Sequence, residues 1–354
     1  MNPHEPIAAD RCRYDIAALG EVMLRFDPGD SRIVAADHFR VWEGGGEYNV
    51  AHALTRCFGM RGAVVTALVD NPVGRLIQRR MTAGGLDTRW IRWLPGDGIG
   101  ESRRNGIYFM ERGFGQRPAL GVFDRGHSAI AQAVPGDFDW EALFGRSGVR
   151  WFHSGGIMAG LSPSSCDVVI DAMQAARRHG AVVSYDLNYR PSLWKRYGGK
   201  AGAKAVNRRV LACVDVLFGL ETLDHYSPPQ ETGRFRDAML QTVENYPQIK
   251  TIASGMRVVK SANVHDWSGL LWHAGEFYAG PRFDNLAVYD RVGSGDGFAA
   301  GVIYGLLSGG TPQAAIDTGV AHGALVMTTP GDTTMATRQE VENVLKNRGI
   351  DVIR

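Results

Sequence analysis

The segment Asp290-Arg-Val-Gly-Ser-Gly-Asp-Gly-Phe-Ala-Ala-Gly301 carries the most evident chemistry. Gly293, Gly295 and Gly297 crowd a short loop just before a helix-forming run. Free backbone N–H groups at such a helix start form an anion site, suited to the charge that develops on a transferring phosphoryl group. Asp296 does not fit a loop that only binds phosphate, because its charge opposes that ligand. It fits a base set beside an incoming hydroxyl. Taken alone, the loop reads equally as a glycine-rich turn with Asp296 as an ordinary N-cap.

Two further segments bear suitable polar groups. Gly44-Gly-Gly-Glu-Tyr-Asn-Val-Ala51 leads glycines straight into a helix, with Asn49 in its first turn. Bare backbone lets a polar ligand lie close, and Asn offers both a donor and an acceptor. By itself the segment reads more simply as a flexible turn with a capping Asn. Asp186-Leu-Asn-Tyr-Arg-Pro-Ser-Leu-Trp194 follows a strand, the place where ligands bind in open α/β sheets. Asp186, Asn188 and Arg190 alternate, so in extended backbone they point to one side. Arg190 can fork onto a carboxylate. The alternative is a solvated loop with Trp194 packed on the core; the alternation favours function.

The elements that must position these groups alternate between strand and helix. Asp15 to Gly20 predicts a buried first strand, Tyr48 to Phe58 a helix with Gly59 just past its end, and Gly62 to Val69 a second strand. Ser162-Pro163 opens a helix that stops before Gly180. Strands are predicted over Ala181–Tyr185 and Val214–Phe218, with a short one at Thr251-Ile-Ala-Ser, then helices over Phe298–Leu307 and Pro312–Met327. Thr337-Arg-Gln-Glu340 is a capping box. The pattern predicts a parallel α/β sheet. Residues 21–42 and 99–125 lack a helical period and predict a small β-rich flap, assigned to about 21–46 and 98–128 within one domain over 11–350.

The 354 residues include 44% hydrophobic and 21% charged, an ordinary globular balance. A net charge of +2 gives no reason to expect nucleic acid or a membrane surface as partner. Cys12, Cys57, Cys166 and Cys213 form no C-x-x-C pair, and a polar Met1–Asp10 predicts no secretory leader, so a cytoplasmic location is expected. There is no G-x-x-x-x-G-K-[ST], no complete G-x-G-x-x-G, no H-E-x-x-H and no G-x-S-x-G. His153 and His322 read as structural, and Trp90, Trp93, Phe109 and Phe114 as interface aromatics.

Together DRVGSGDGFAAG and GGGEYNVA resemble the two signatures of the PfkB, ribokinase-like carbohydrate kinases, over nearly the whole chain. DLNYRPSLW, WEGGGEYNVA, TALVDNPVGR and AHGALVMTTPGD are similar to the 2-keto-3-deoxygluconate kinase and 2-ketogluconate kinase branch. The resemblance implies a Rossmann-type sheet sandwiched by helices, with a β-sheet lid, and ATP-dependent phosphorylation of a keto sugar acid. It implies Asp296 as base, with Gly293, Ser294 and Gly295 as the anion hole. Gly44, Gly45, Asn49, Tyr108, Arg190 and Asp332 would meet the sugar acid, Arg190 at its carboxylate. Asp186, Asn188, Glu221, Ser254, Arg257, Ala321 and Ala324 would lie on the nucleotide side. Glu221 would serve Mg²⁺, and Asp290 a metal ion, in its case a monovalent cation such as K⁺. A homodimer or higher oligomer through the lid is expected. The sequence departs from the family at Leu220, where an Asn is expected, at Met110, where some relatives carry Arg, and at Gly255, where a hydroxyl residue is expected. A fructokinase- or nucleoside-kinase-like enzyme acting on a neutral acceptor, or a catalytically weak sugar-binding relative, are the alternatives.

Overall fold

The apolar runs of the sequence form the centre of a large sheet. The computed structural model describes residues 7–220 and 232–346. The chain begins with β1 (Tyr14–Leu19), β2 (Met23–Asp27), β3 (Arg40–Gly44), α1 (Gly46–Arg56), β4 (Gly62–Val69), α2 (Pro72–Ala83), β5 (Ile91–Leu94), β6 (Ile107–Glu111) and β7 (Leu120–Asp124). It continues through β8 (Val149–Gly155), α3 (Gly156–Gly160), α4 (Pro163–Arg178), β9 (Val182–Asp186), α5 (Pro191–Trp194), α6 (Lys200–Leu211), β10 (Val216–Phe218) and α7 (Thr232–Asn245). It then forms β11 (Thr251–Ser261), β12 (Val264–His273), β13 (Glu276–Ala279), β14 (Phe283–Ala287), α8 (Ser294–Leu307), α9 (Pro312–Val326) and α10 (Arg338–Leu345).

The large sheet runs β13-β12-β11-β10-β9-β8-β1-β4-β5. From β5 to β11 it is parallel; β12, β13 and β14 add antiparallel pairs. Every residue of β1 and β4 is buried, as expected for strands covered on both faces. Alternate side chains serve opposite cores: Ile16 and Ala18 join α1, α8 and α9, whereas Ala17 and Leu19 join α4, α6 and α7. The chain moves from β1 to β4 on one side and later to β8 on the other, so strand order reverses at β1 and β8. A crevice is expected at the carboxyl ends there.

Local chemistry sets the helix limits. Ser162 caps α4 in a reciprocal box with Ser165, and Gly180 follows at φ 79°. Thr337 and Glu340 form the box that opens α10. Gly59 takes φ 72° just after α1. The two aperiodic stretches supply a separate four-stranded sheet, β3-β2-β6-β7.

The second half differs from the sequence expectation. The short strand at Thr251 is instead 11 residues long and pairs with β12. Polar and charged residues from Arg257 onward break the apolar run, and cross-strand pairing rather than burial continues it. β12, β13 and β14 were not expected at all; His265, Asp266 and Ser268 interrupt the apolar residues of β12, although it is buried along most of its length.

Helices α8 and α9 cross with their backbones nearly touching. A Cβ on Gly301 would lie 2.7 Å from Gly319 Cα, and one on Gly305 would lie 2.4 Å from Ala315 Cα. The glycines spaced through these two apolar helices are therefore contact positions. Replacing Gly305→Val should lower unfolding free energy by about 1–3 kcal/mol through overpacking. Equilibrium urea denaturation measures it, and an unshifted midpoint refutes the close crossing.

Candidate active site

Two helix starts meet at the crevice. Gly293, in the left-handed region at φ 79°, caps α8. A Cβ there would lie 2.0 Å from Asp332 O, so position 293 requires glycine on both counts. The first-turn amides of α8, including those of Gly295 and Asp296, lack acceptors within the helix by construction. Nothing lies within 4 Å of a Cβ on Gly295, so the backbone is open on that side. Ser294 itself is buried.

The start of α1 stands opposite. A Cβ on Gly46 would sit 3.1 Å from Asn188 Nδ2, 3.7 Å from Ile157 Cδ1 and 3.8 Å from Asp296 Oδ1. Glycine here leaves bare backbone where three chain segments converge. Asn49 Nδ2 donates to Asp296 Oδ2 at 2.7 Å, and Asn49 Oδ1 accepts from Gly45 N at 3.3 Å. Asn49 thus orients the Asp296 carboxylate from the facing helix. Burial in the cleft pushes that carboxyl up to about 8; the Asn49 bond opposes the shift, Asp186 adds to it and Arg190 opposes it. Asp296 remains partly solvent-accessible.

The end of β9 supplies the third wall. Asp186 Oδ1 accepts from Asn188 N at 3.0 Å, and Asn188 adopts φ 37°, a conformation Asn tolerates. Burial raises the Asp186 carboxyl to about 6, against the pull of Arg190. Arg190 is exposed, donates only to Tyr189 O among the hydrogen bonds seen, and acts electrostatically on both Asp186 and Asp296. Asp186, Asn188, Arg190, Asn49 and Asp296 therefore share one site.

Other expected site residues make contacts within the protein. Gly44 packs against the Asp332 carboxylate and Gly45 against Glu21 O, contacts that a Cβ would fill. Tyr108 is 2% exposed, stacks on Phe123 and donates to Asp332 Oδ2. Asp332, buried too, also accepts from Arg25 Nη1 at 2.9 Å. The polar atoms of Tyr108 and Asp332, both expected at the sugar, are engaged with each other and with Arg25. Asp290, expected at a monovalent cation, is engaged in the same cluster. Its Oδ1 accepts from Val292 N at 3.2 Å and its Oδ2 from Arg25 Nη2 at 2.5 Å. A full positive charge already occupies that oxygen, so these residues do not fit a monovalent cation held by Asp290.

On the far side, Ser254 is buried on β11, and Ala321 and Ala324 are buried on α9. Arg257 lies near His265, as does Arg291; both hold its imidazole down, after burial. Trp267 fills the space over Gly255, where a Cβ would come within 2.6 Å of the ring, and also faces Gly323. The missing hydroxyl at Gly255 follows from that ring. Leu220 joins the main core. Glu221 lies outside the described residues. Among the described residues no group of three or more His, Cys, Asp or Glu forms a metal cage, and no helix is long and apolar enough to cross a membrane.

Sequence reasoning missed four site residues. Arg25 is a charge set between apolar residues of β2, two residues from Asp27, and Arg is almost never fully buried unless paired, which was the available signal. Glu47 is buried at the base of α1, with Oε1 accepting from Met158 N at 3.1 Å, and burial raises it to about 7. Arg125 pairs with buried Glu21 and, with Arg291, lends positive potential around Arg190. For Glu47, Arg125 and Arg291 nothing in the sequence marked convergence.

Comparisons with known proteins agree with this fold. Residues 14–339 match the model for pfkB family carbohydrate kinases. The chain is 28% identical to the 2-dehydro-3-deoxygalactonokinase of Haloferax volcanii, covering 95% of this chain and 99% of that one. It is 29% identical to the 2-dehydro-3-deoxygluconokinase of Thermoproteus tenax, covering 94% of each. The crystal structure of 2-dehydro-3-deoxygluconokinase from Thermotoga maritima superposes with a TM-score of 0.85 at 33% identity, over 94% of this chain and 99% of that one. A glycine-capped helix start aimed at an oriented aspartate, on a sheet of this topology and across this length of match, means that the chain belongs to the pfkB family of carbohydrate kinases.

Proposed function

We propose that this sugar kinase transfers the γ-phosphoryl group of ATP to a hydroxyl of a small keto-deoxy sugar acid, with 2-keto-3-deoxygluconate as the acceptor. The observation that carries the reading is the Asp296 carboxylate, held by Asn49 between two facing helix starts with Arg190 alongside. Relatives named for dehydro-deoxy sugar acids support the acceptor class.

In this reading the acceptor hydroxyl lies against the bare backbone at Gly46, within reach of Asp296. Asp296 accepts the hydroxyl proton as the new O–P bond forms and the bond from the γ-phosphorus to the β,γ-bridging oxygen breaks, releasing ADP. The amides at the start of α8 stabilise charge on the transferring group. Arg190 pairs with the acceptor carboxylate, which also lessens repulsion between that carboxylate and Asp296. A carbohydrate kinase of this family uses ATP and a divalent metal; taken as Mg²⁺, the metal neutralises phosphoryl oxygens when bound. Such ions are held by one or two carboxylates, water and phosphate, and Asp186 is the described carboxylate suited to that part. Ser254, Arg257 and the α9 face at residues 321–324 are assigned to the nucleotide side. The small sheet acts as a lid over the acceptor.

The outer strand of that sheet supports a lid-to-lid homodimer. Every residue of β7 is exposed, including Leu120, Val122 and Phe123 at 46%, 47% and 47%. An open apolar edge of this kind is normally covered. A cytoplasmic location fits the use of ATP and is checked by cell fractionation.

Asp296→Asn should keep the fold by circular dichroism and lower kcat by about 10²–10⁴-fold. Wild-type kcat/KM should fall as pH drops below a midpoint near 8, because the base must be unprotonated. The variant's residual rate should lack that limb. Wild-type turnover by Asp296→Asn, or a wild-type profile flat through neutrality, removes the base assignment. Arg190→Ala should raise KM for 2-keto-3-deoxygluconate by about 10–10²-fold, the loss of one charged hydrogen-bond pair, and leave slow activity on neutral sugars unchanged. Equal losses on both would defeat the carboxylate role. Val122→Lys should sediment as a monomer; a dimer that persists places the contact elsewhere.

A further inference from the structure

Arg25 is wholly buried, and its guanidinium gathers three aspartates from distant parts of the chain. Nη1 donates to Asp332 Oδ1 at 2.9 Å; Nη2 donates to Asp290 Oδ2 at 2.5 Å and to Asp27 Oδ2 at 3.4 Å. Tyr108 donates to the other oxygen of Asp332. Asp27 Oδ1 accepts from Gly29 N at 2.8 Å and lies 3.8 Å from Arg112 Nε, while Arg112 also faces Asp30 at 3.5 Å and the ring of Tyr289. Glu43 on β3 and Asp296 on α8 also interact electrostatically with Asp332; with them, these are the charged and titratable groups that face the cluster from the small sheet, from the loops before α8 and after α9, and from α8 itself.

Two of those aspartates frame the catalytic loop. Asp290 begins it, anchored by its amide to Met327 O at 3.2 Å and, through Val292 N, to its own next turn. Asp332 packs its carbonyl against Gly293, the residue that caps α8. Holding these two carboxylates in register sets the direction of the α8 amides. Two acidic groups brought together in a buried place require a positive charge between them, and here β2 supplies it as a rigid, always-charged fork.

We infer that Arg25 is the built-in cation of the catalytic loop, a positioning residue that ties the anion site to the small sheet and leaves the enzyme without need of a monovalent metal ion. The inference goes beyond the kinase reading but rests on it. Because the cation is part of the chain, it cannot exchange with solvent. Because it comes from the small sheet, displacement of that sheet disturbs the loop that stabilises the transferring phosphoryl group.

The test compares wild type, Arg25→Lys and Arg25→Met, each assayed with ATP and Mg²⁺ at matched ionic strength in potassium, sodium or tetramethylammonium salts. Wild-type kcat and melting temperature should not differ among the three. Arg25→Met should lose about 10²-fold in kcat with a smaller change in KM, as expected for a misplaced loop, and methylguanidinium should restore part of it. Arg25→Lys should keep more activity than Arg25→Met. If Arg25→Met does not fold, the wild-type ion series and Arg25→Lys still decide. A wild-type rate or melting temperature that depends specifically on potassium overturns the inference, as does an Arg25→Met enzyme with full turnover. An absence of activity on every acceptor refutes the kinase reading instead, and the melting series then tests the cation alone.

Discussion

A buried guanidinium among aspartates is the constraint on which this site depends. Asp27, Asp290 and Asp332 come from β2, from the start of the catalytic loop and from the turn after α9. In water their charges would be solvated separately. Inside the protein each is tolerable only with a partner, and burial raises the Asp290 and Asp332 carboxyls even so. The fold therefore brings these segments together or leaves charge unpaired, and Gly44 and Gly293 are small because the Asp332 segment lies against both.

Above that base the reacting groups are arranged by opposition. The start of α8 offers amides and the start of α1 offers bare backbone, with Asp296 on one side and Asn49 on the other. A carboxylate placed at a helix start would ordinarily be stabilised in its charged form. Here removal from water prevails, aided by Asp186, and the carboxyl is moved toward the neutral range where a base is effective. Arg190 limits that movement, and an acidic acceptor that engages Arg190 would change the balance at the moment of binding.

The departures from the family pattern each have a physical counterpart. Leu220 has joined the apolar core, Gly255 lies beneath the Trp267 ring, and Met110 packs with Met23 and Tyr108. None of them touches the pairing of Asn49 with Asp296.

Periodicity and caps made most of the elements legible. The helix after Ser162 and the box at Thr337 needed only neighbours three residues away, and an all-apolar run such as residues 16–19 is buried wherever it goes. The glycine-rich loop before α8 and the glycines before α1 were legible because backbone exposure is written in residue type. The antiparallel strands after Thr251 were not: polar residues interrupt their apolar positions, although β12 is buried along most of its length. Nor were the mutual contacts of Tyr108, Asp290 and Asp332 with Arg25, since the sequence pointed these three only toward sugar or cation. Arg25 stands 265 residues from Asp290 and 307 from Asp332. Chain-local signals fix what a segment can become; only the folded chain decides which charges must neutralise one another, because Coulomb pairing in a buried place depends on distance in space and not along the sequence.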